Sequence, residues 1–123
     1  YTWDKRWVPY PTNFRFKTHF GPTLAAQAVF SKYPIITQKI QRLPKPRENL
    51  NLYNTFYLDR LCQLVTIKLN DTQHLQLANL HLEAFRRQTR SHQAKLVLDF
   101  LDTHAKENPL IVCGDFNAVD TTV

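Results

Sequence analysis

The segments LQLANLHL at residues 75–82 and LIVCGDFN at residues 110–117 decide the fold of this 123-residue chain. The first predicts a strand because it is rich in apolar residues and follows turn residues. The second opens with a short apolar run, 110–113, bounded by Pro109 and Gly114, which is typical of a buried strand. Both segments carry polar residues able to do chemistry near their ends: His81 in the first, and Asp115 and Asn117 in the second.

A helix is predicted between the two strands. Its apolar residues recur at helical spacing and form one stripe, namely Ala94, Val97, Leu98, Leu101 and Ala105. Thr89 or Ser91 is the expected cap at its start, and Asn108-Pro109 marks its end. A strand, a crossover helix and a second strand normally form a right-handed parallel unit.

The carboxyl ends of the two parallel strands should meet at one edge of the sheet, where α/β sites tend to lie. His81 lies near the end of the first strand, and Asp115 and Asn117 lie just beyond the second. Alternation along a strand also places Asn79 and His81 on the same face. We therefore expect a carboxylate, carboxamides and an imidazole at one site.

These groups suit the attack of water on a phosphate ester. Asp115 can hold or deprotonate a water molecule, or help bind a hard cation such as Mg²⁺. Asn117 offers an uncharged N–H donor to an oxygen that gains charge, and His81 can donate a proton or a hydrogen bond to a phosphoryl oxygen. The spacing also allows a purely structural interpretation, in which a Gly-Asp turn follows a strand and His81 is a satisfied core residue.

Outward from this unit, residues 61–69 predict a strand, and Asn70-Asp71-Thr72 predicts a turn that joins it to 75–82 in a hairpin. A short strand is predicted over residues 24–30, and residues 43–46 are predicted to form an extended connector. The first twenty-odd residues, with several prolines, read as an irregular loop.

Charge is concentrated in the first part of the chain. The formal net charge is +6, and residues 1–47 carry nine Lys and Arg against one Asp. Aromatic residues interleave with these cations, which fits contact with nucleic-acid phosphates and bases, although a solvated loop pinned to a sheet explains the pattern equally well.

No segment approaches the ~20 apolar residues of a transmembrane helix. Two distant cysteines exclude a disulfide framework or Cys-rich zinc module and favour a reduced compartment such as the cytoplasm; localisation is otherwise open.

Several motifs, in their order along the chain, resemble the endonuclease/exonuclease/phosphatase superfamily, the group that contains deoxyribonuclease I. The matching elements are Ser31-Lys32-Tyr33-Pro34-Ile35, Asp59-Arg60, Asn79-Leu80-His81-Leu82-Glu83-Ala84, Arg90 with Gln93-Ala94, and Ile111-Val112-Cys113-Gly114-Asp115-Phe116-Asn117-Ala118. The separation of the NxHL and GDFN motifs is the most specific part of the match.

The resemblance implies a four-layer α/β sandwich with two mainly antiparallel sheets flanked by helices, and hydrolysis of phosphoesters with Mg²⁺ or Mn²⁺. Carried over by residue, Asp115 would orient the attacking water and take part in metal binding. Asn117 would stabilise the transition state, and His81 would contact the scissile phosphate or act as an acid. Arg60 and Asn79 would bind substrate.

The chain is also expected to be one partial domain, residues 1–123, holding the central-to-C-terminal portion of that fold and truncated at both ends. The resemblance places the main metal ligand before residue 1 and a further Asp-His pair after residue 123. The fragment alone should therefore be inactive, and a monomer is expected.

The favoured function is a phosphodiesterase or nuclease, because the basic, aromatic N-terminal segment suits a nucleic-acid substrate. The alternatives are a lipid or inositol phosphatase or sphingomyelinase of the same family, and a basic nucleic-acid-binding module without catalysis.

Overall fold

A computed structural model of the chain describes residues 2–5, 24–46, 58–105 and 108–118. These residues form six strands and one helix. In chain order the elements are β1 (Thr2–Lys5), β2 (Leu24–Gln27), β3 (Ile35–Leu43), β4 (Arg60–Lys68), β5 (His74–His81), α1 (Arg87–His104) and β6 (Leu110–Asp115). The chain thus has a mixed α/β fold.

The main sheet has four strands in the order β3-β4-β5-β6. The pairs β3–β4 and β4–β5 are antiparallel, and β5–β6 is parallel, with α1 as the connection between the parallel strands. The predicted hairpin and the predicted parallel pair are therefore both present. A separate two-stranded antiparallel ladder joins β1 to β2.

The hairpin turn between β4 and β5 is held by the side chain of Asn70. Its Oδ1 accepts hydrogen bonds from the backbone N–H of Thr72 at 3.0 Å and of Gln73 at 2.8 Å. The N–H of Leu69 donates to the Gln73 carbonyl oxygen at 2.9 Å, which closes the ladder. Asn favours such turns because its short amide can hydrogen-bond the backbone locally.

One face of the sheet packs against α1 and forms the hydrophobic core. The sheet contributes Leu43, Cys62, Leu64, Ala78 and Leu80, the loop after β5 contributes Leu82, and the helix contributes Val97, Phe100 and Leu101. The apolar stripe predicted for the helix is wrong in one member, because Leu98 is 67% exposed and Phe100 is buried instead. The predicted caps are also wrong: the helix begins at Arg87, after Arg86, which makes no side-chain cap bond.

Several strand predictions need correction. The start of the chain, predicted as irregular, contains β1, whose pairing with β2 supplies its backbone hydrogen bonds; the rest of that predicted loop lies outside the described residues. β2 ends at Gln27, three residues before the predicted end. β3 was not predicted at all. β6 extends to Asp115 and is exposed rather than buried, because it lies at an edge of the described sheet with a neighbour on one side only.

In the part of the chain that the structure describes, no helix has both the length and the hydrophobicity needed to cross a bilayer.

Candidate active site

The candidate site lies at the carboxyl ends of β5 and β6. His81 is the last residue of β5 and is paired in register with Asp115, the last residue of β6. Because residues paired across neighbouring strands share a face, the two side chains leave the sheet on the same side. This is the face opposite α1, and Asn79 shares it with His81. The parallel register thus brings the predicted imidazole and carboxylate together.

Three ionisable side chains meet at this edge. Arg60 opens β4, and its Nη1 lies 2.8 Å from His81 Nδ1 and also contacts Nε2 of the same ring. The His81 Nε2 atom lies 3.6 Å from Asp115 Oδ2. Arg60 is 7% exposed, whereas the Asp115 side chain is 61% exposed. The imidazole is therefore flanked by a buried cation and an accessible carboxylate.

The surroundings of His81 favour its neutral form. Burial lowers the pKa of His81 below its ordinary value of 6.5, and the charge of Arg60 lowers it further, while Asp115 and Glu83 act in the opposite direction. A neutral imidazole has one nitrogen that accepts a hydrogen bond, which the Arg60 guanidinium can supply, and one N–H that can donate. In its neutral form, His81 thus keeps one N–H that can act as a hydrogen-bond donor.

The end of β6 and the turn that follows it contain one residue each with a positive φ. Gly114 has φ +130°, and a Cβ there would come within 1.9 Å of the Leu80 carbonyl oxygen, so only glycine fits. Asn117 has φ +47°, a left-handed conformation that Asn tolerates better than most residues. Its N–H donates to Asp115 Oδ1 at 2.9 Å, so the turn also fixes the carboxylate.

The carboxamide of Asn117 connects this turn to the loop after β5. Its Nδ2 donates to the Leu82 carbonyl oxygen at 2.9 Å, and the Leu82 N–H donates to the Asp115 carbonyl oxygen at 2.9 Å. The loop after β5 and the turn after β6 are therefore held to each other beside His81 and Asp115. Asn79 shares the face of His81, but its Nδ2 donates to the Ala28 carbonyl oxygen at 3.4 Å.

Buried polar side chains shape the loop between β5 and α1. Glu83 is fully buried, and its Oε1 accepts from the N–H of Phe85 at 2.9 Å and of Arg86 at 3.3 Å. Gln93 is also fully buried; its Oε1 accepts from the Glu83 N–H at 2.7 Å, and its Nε2 donates to the Pro44 carbonyl oxygen at 2.8 Å. These contacts keep the loop beside the site in one conformation.

Asp115 fits one ligand position of a divalent-metal site. An accessible carboxylate, completed by waters and substrate phosphates, is the usual setting for Mg²⁺. Across residues 2–5, 24–46, 58–105 and 108–118, no three His, Cys, Asp or Glu side chains come together as a metal cluster. A divalent-metal ion at Asp115 would therefore need its other protein ligands from outside the described residues.

The comparison with known families decides the classification. A family model described as the Endonuclease/Exonuclease/phosphatase family matches residues 2–122. The chain belongs to this family. The resemblance first drawn from the NxHL and GDFN motifs is therefore confirmed. No curated protein matches the chain.

Solved structures of this family resemble the chain over part of their length. An endonuclease/exonuclease/phosphatase family protein from Bacteroides thetaiotaomicron is 25% identical over 72% of the chain, with a TM-score of 0.56. A mannosyl-6-phosphatase from the same organism is 25% identical over 69%, with a TM-score of 0.53. The human Nocturnin catalytic domain is 22% identical over 97%, with a TM-score of 0.58, and shows a shared fold. The chain spans 34%, 33% and 44% of these proteins, respectively.

Residues that sequence patterns did not single out for the site also contribute to it. The carboxamide of Gln27 contacts the backbone of His81 from β2, and no local pattern marks it. In the sequence, Gln93 stands out only as part of the family motif. Glu83 accepts from the N–H groups of Phe85 and Arg86, two and three residues further along the chain, which is a local turn contact.

Proposed function

We propose that this chain carries the central part of the active site of a divalent-metal-dependent phosphodiesterase that acts on nucleic acid. The observation that carries the proposal is the meeting of Arg60, His81 and Asp115 at the carboxyl edge of a parallel strand pair, in a chain that belongs to this family. In the whole protein, the fold would be a four-layer sandwich of two mainly antiparallel sheets flanked by helices.

Each residue of the site would have a separate role in phosphodiester hydrolysis. Asp115 would accept a hydrogen bond from the attacking water and orient it toward phosphorus. His81 would donate its N–H to a phosphate oxygen, and Arg60 would offset the negative charge of the phosphate. One N–H of the Asn117 carboxamide donates to the Leu82 carbonyl oxygen. The second N–H would donate to the oxygen that gains charge in the transition state. Asn79 would contact substrate on the same face.

Mg²⁺ or Mn²⁺, when bound, would supply positive charge to the phosphate oxygens. Asp115 would hold the ion together with ligands outside the described residues. Within the described part, the exposed carboxylate fixed by the Asn117 N–H is the feature that suits this role.

Two features favour nucleic acid as the substrate. The first is the surplus of cations in residues 1–47, interleaved with aromatic residues, which suits phosphates and bases. The second follows β5 in the chain: Phe85 is 77% exposed and is followed by the exposed Arg86 and by Arg87, the exposed first residue of α1. An aromatic ring beside two guanidinium groups can stack on a base and contact the adjoining phosphates.

A phosphatase is the second candidate function. It is favoured by the 25% identity to the mannosyl-6-phosphatase, a level equal to that of the other bacterial neighbour. A phosphorylated sugar or lipid headgroup would use the same phosphate-binding residues and would not need the aromatic and basic loop. A third reading, a basic nucleic-acid-binding module without catalysis, would not need Arg60, His81 and Asp115 to converge.

A substrate panel distinguishes these functions. The full-length protein that contains this chain would be incubated, with and without Mg²⁺, with single-stranded DNA, plasmid DNA, RNA, mannose 6-phosphate, a phosphoinositide and sphingomyelin. We expect metal-dependent cleavage of a polynucleotide and no release of inorganic phosphate from the monoesters. Phosphate release from a monoester without polynucleotide cleavage would establish the phosphatase instead. Polynucleotide binding with no hydrolysis of any substrate would establish the binding module.

A further inference from the structure

The side chain of Gln27 connects β2 to the backbone of the catalytic strand. Its amide nitrogen donates to the Leu61 carbonyl oxygen at 3.2 Å, and its amide oxygen accepts from the His81 N–H at 3.0 Å. This orientation follows from the surroundings, because one end of the amide faces an acceptor and the other faces a donor. A single carboxamide therefore contacts β4 and β5 at the same time.

The contact lies where the pairing of β4 and β5 ends. The register of these strands runs to Cys62 opposite Leu80, and the next two residues are Leu61 and His81. Gln27 thus bridges the strands one position beyond the last paired residues. The neighbouring Ala28 carbonyl oxygen accepts from Asn79, which places the end of β2 over the same part of β5.

His81 is consequently held from two sides. On the β6 side its partner is Asp115, and the next N–H along, that of Leu82, donates to the Asp115 carbonyl oxygen. On the β4 side the Gln27 carboxamide holds the His81 N–H. Strand ends with few contacts open locally at low cost in free energy. Fixing the backbone of His81 fixes the place of its ring between Arg60 and Asp115.

We propose that Gln27 is a positioning residue that acts through His81 and sets the ring at the distance from Asp115 that hydrolysis requires. The effect on rate rests on the proposed function, whereas the effect on His81 does not. A displacement of about 1 Å in a catalytic group can cost about a hundredfold in rate. A single lost contact to a group with other supports should cost less, so we expect about a tenfold loss.

The test is a double-mutant cycle in the full-length protein. Gln27→Met keeps the length of the side chain and removes both hydrogen bonds. We expect it to lower kcat for bis(p-nitrophenyl) phosphate about tenfold with KM changed less than about twofold. In the His81→Ala background the same change should lower kcat less than about twofold, because residues that act as a unit are not additive. Equal losses in both backgrounds would overturn the proposal.

Gln73→Met is the matched control, since Gln73 is an exposed glutamine in the hairpin turn, at the other end of β5, and bonds to Asn70. It should leave kcat unchanged; a loss equal to that of Gln27→Met would contradict a specific role for Gln27.

A second readout is independent of activity. Gln27→Met should speed hydrogen exchange of the His81 amide and shift the His81 ring resonances in NMR spectra, and unchanged spectra would overturn the proposal even if the protein hydrolysed nothing.

If Gln27→Met does not fold, a measurement on the wild-type protein can still test the proposal. A scalar coupling across the hydrogen bond, from the His81 amide nitrogen to the side-chain carbonyl carbon of Gln27, should be detectable, and its absence would overturn the proposal. Failure of the substrate panel with altered His81 spectra in the variant would refute the function while supporting the positional role.

Discussion

The side chain of His81 lies between two groups of opposite charge whose accessibility differs. Arg60 is buried and lies against the ring, while Asp115 is open to solvent on the other side. A ligand that approaches from solvent would therefore meet Asp115 and the ring edge first, with the guanidinium behind them. In the proposed function, Arg60 would supply a fixed positive charge for the phosphate, and this charge would need no reorganisation on binding.

The two basic residues should affect different kinetic constants. His81→Ala should lower kcat about a hundredfold and change KM little, because its hydrogen bond should strengthen as charge develops on the phosphate. Arg60→Lys, which keeps the charge but loses the planar fork, should raise KM, and more so for a polynucleotide than for bis(p-nitrophenyl) phosphate. Steady-state kinetics of the full-length protein would measure both.

A change in KM alone for His81→Ala would assign this residue to binding or to the core. The exposed His92, on the outer side of α1, offers a matched control, and His92→Ala should leave both constants unchanged.

The sequence predicts the position of a site residue when that position follows from local spacing along a strand. His81 and Asp115 could be brought together from the sequence because each lies at the end of a strand and the strands are parallel. Gln27 could not, because its partners are backbone groups more than thirty residues away. Gln93 is similar: a fully buried amide is stable there only because the fold supplies the Glu83 N–H and the Pro44 carbonyl oxygen.

The orientation of α1 also depends on long-range contacts that a local sequence pattern does not specify. Helical periodicity in the sequence allows a stripe that includes Leu98, yet the structure turns Phe100 and Gln93 to the sheet and Leu98 to solvent. Both choices satisfy the 3.6-residue period. The hydrogen-bond partners of Gln93 select the observed rotation of α1, and the periodicity of the sequence gives no information about those partners.

Two leucines on α1 provide a direct test of this orientation. Leu101 is 7% exposed in the core, so Leu101→Ala should lower the free energy of unfolding by about 2–5 kcal/mol. Leu98 is exposed, so Leu98→Ala should change it by less than about 0.5 kcal/mol. Urea unfolding of the full-length protein would give both values. Equal losses would mean that Leu98 is packed in the folded protein and that the helix is rotated from the orientation described here.

The strands differ in how far their sequences reveal them. β4 and β5 were predictable from apolar runs flanking a turn. β3 was missed because its exposed residues break the alternation: polar side chains at 37–39 separate Ile36 from Ile40. β6 was placed correctly along the chain, but its burial was not, since burial depends on a neighbour that a local apolar run does not specify.

At the level of the whole molecule, both edge strands of the described sheet expose apolar side chains: Ile35, Ile36 and Ile40 on β3, and the first three residues of β6. Leu110, Ile111 and Val112 are all exposed, and Ile111 is 48% exposed on the face that carries His81 and Asp115. The chain spans a third to under half of the structures it resembles. An exposed apolar strand at a sheet edge invites association with other chains.

We therefore expect the 123-residue chain, expressed alone, to unfold without a sharp transition or to aggregate, and to hydrolyse nothing. Loss of partner surface should outweigh the ~5–15 kcal/mol of net stability that a domain of ordinary size has. Thermal unfolding followed by circular dichroism, with a Mg²⁺ titration against bis(p-nitrophenyl) phosphate, would test this beside the full-length protein. A cooperative transition with metal-dependent hydrolysis would show instead that these residues form a complete minimal domain.

The measurement that bears most directly on the proposed hydrolysis is the effect of Asp115→Asn on Mg²⁺-dependent turnover by the full-length protein. The substitution conserves shape and removes the charge that would orient water. The control is Asp102→Asn, at an exposed position on α1. We expect Asp115→Asn to lower kcat by about a hundredfold to a thousandfold, with an unchanged unfolding temperature, and Asp102→Asn to leave kcat within about twofold of wild type. Near wild-type turnover by a folded Asp115→Asn protein would contradict the assignment of this edge of the sheet as the catalytic site.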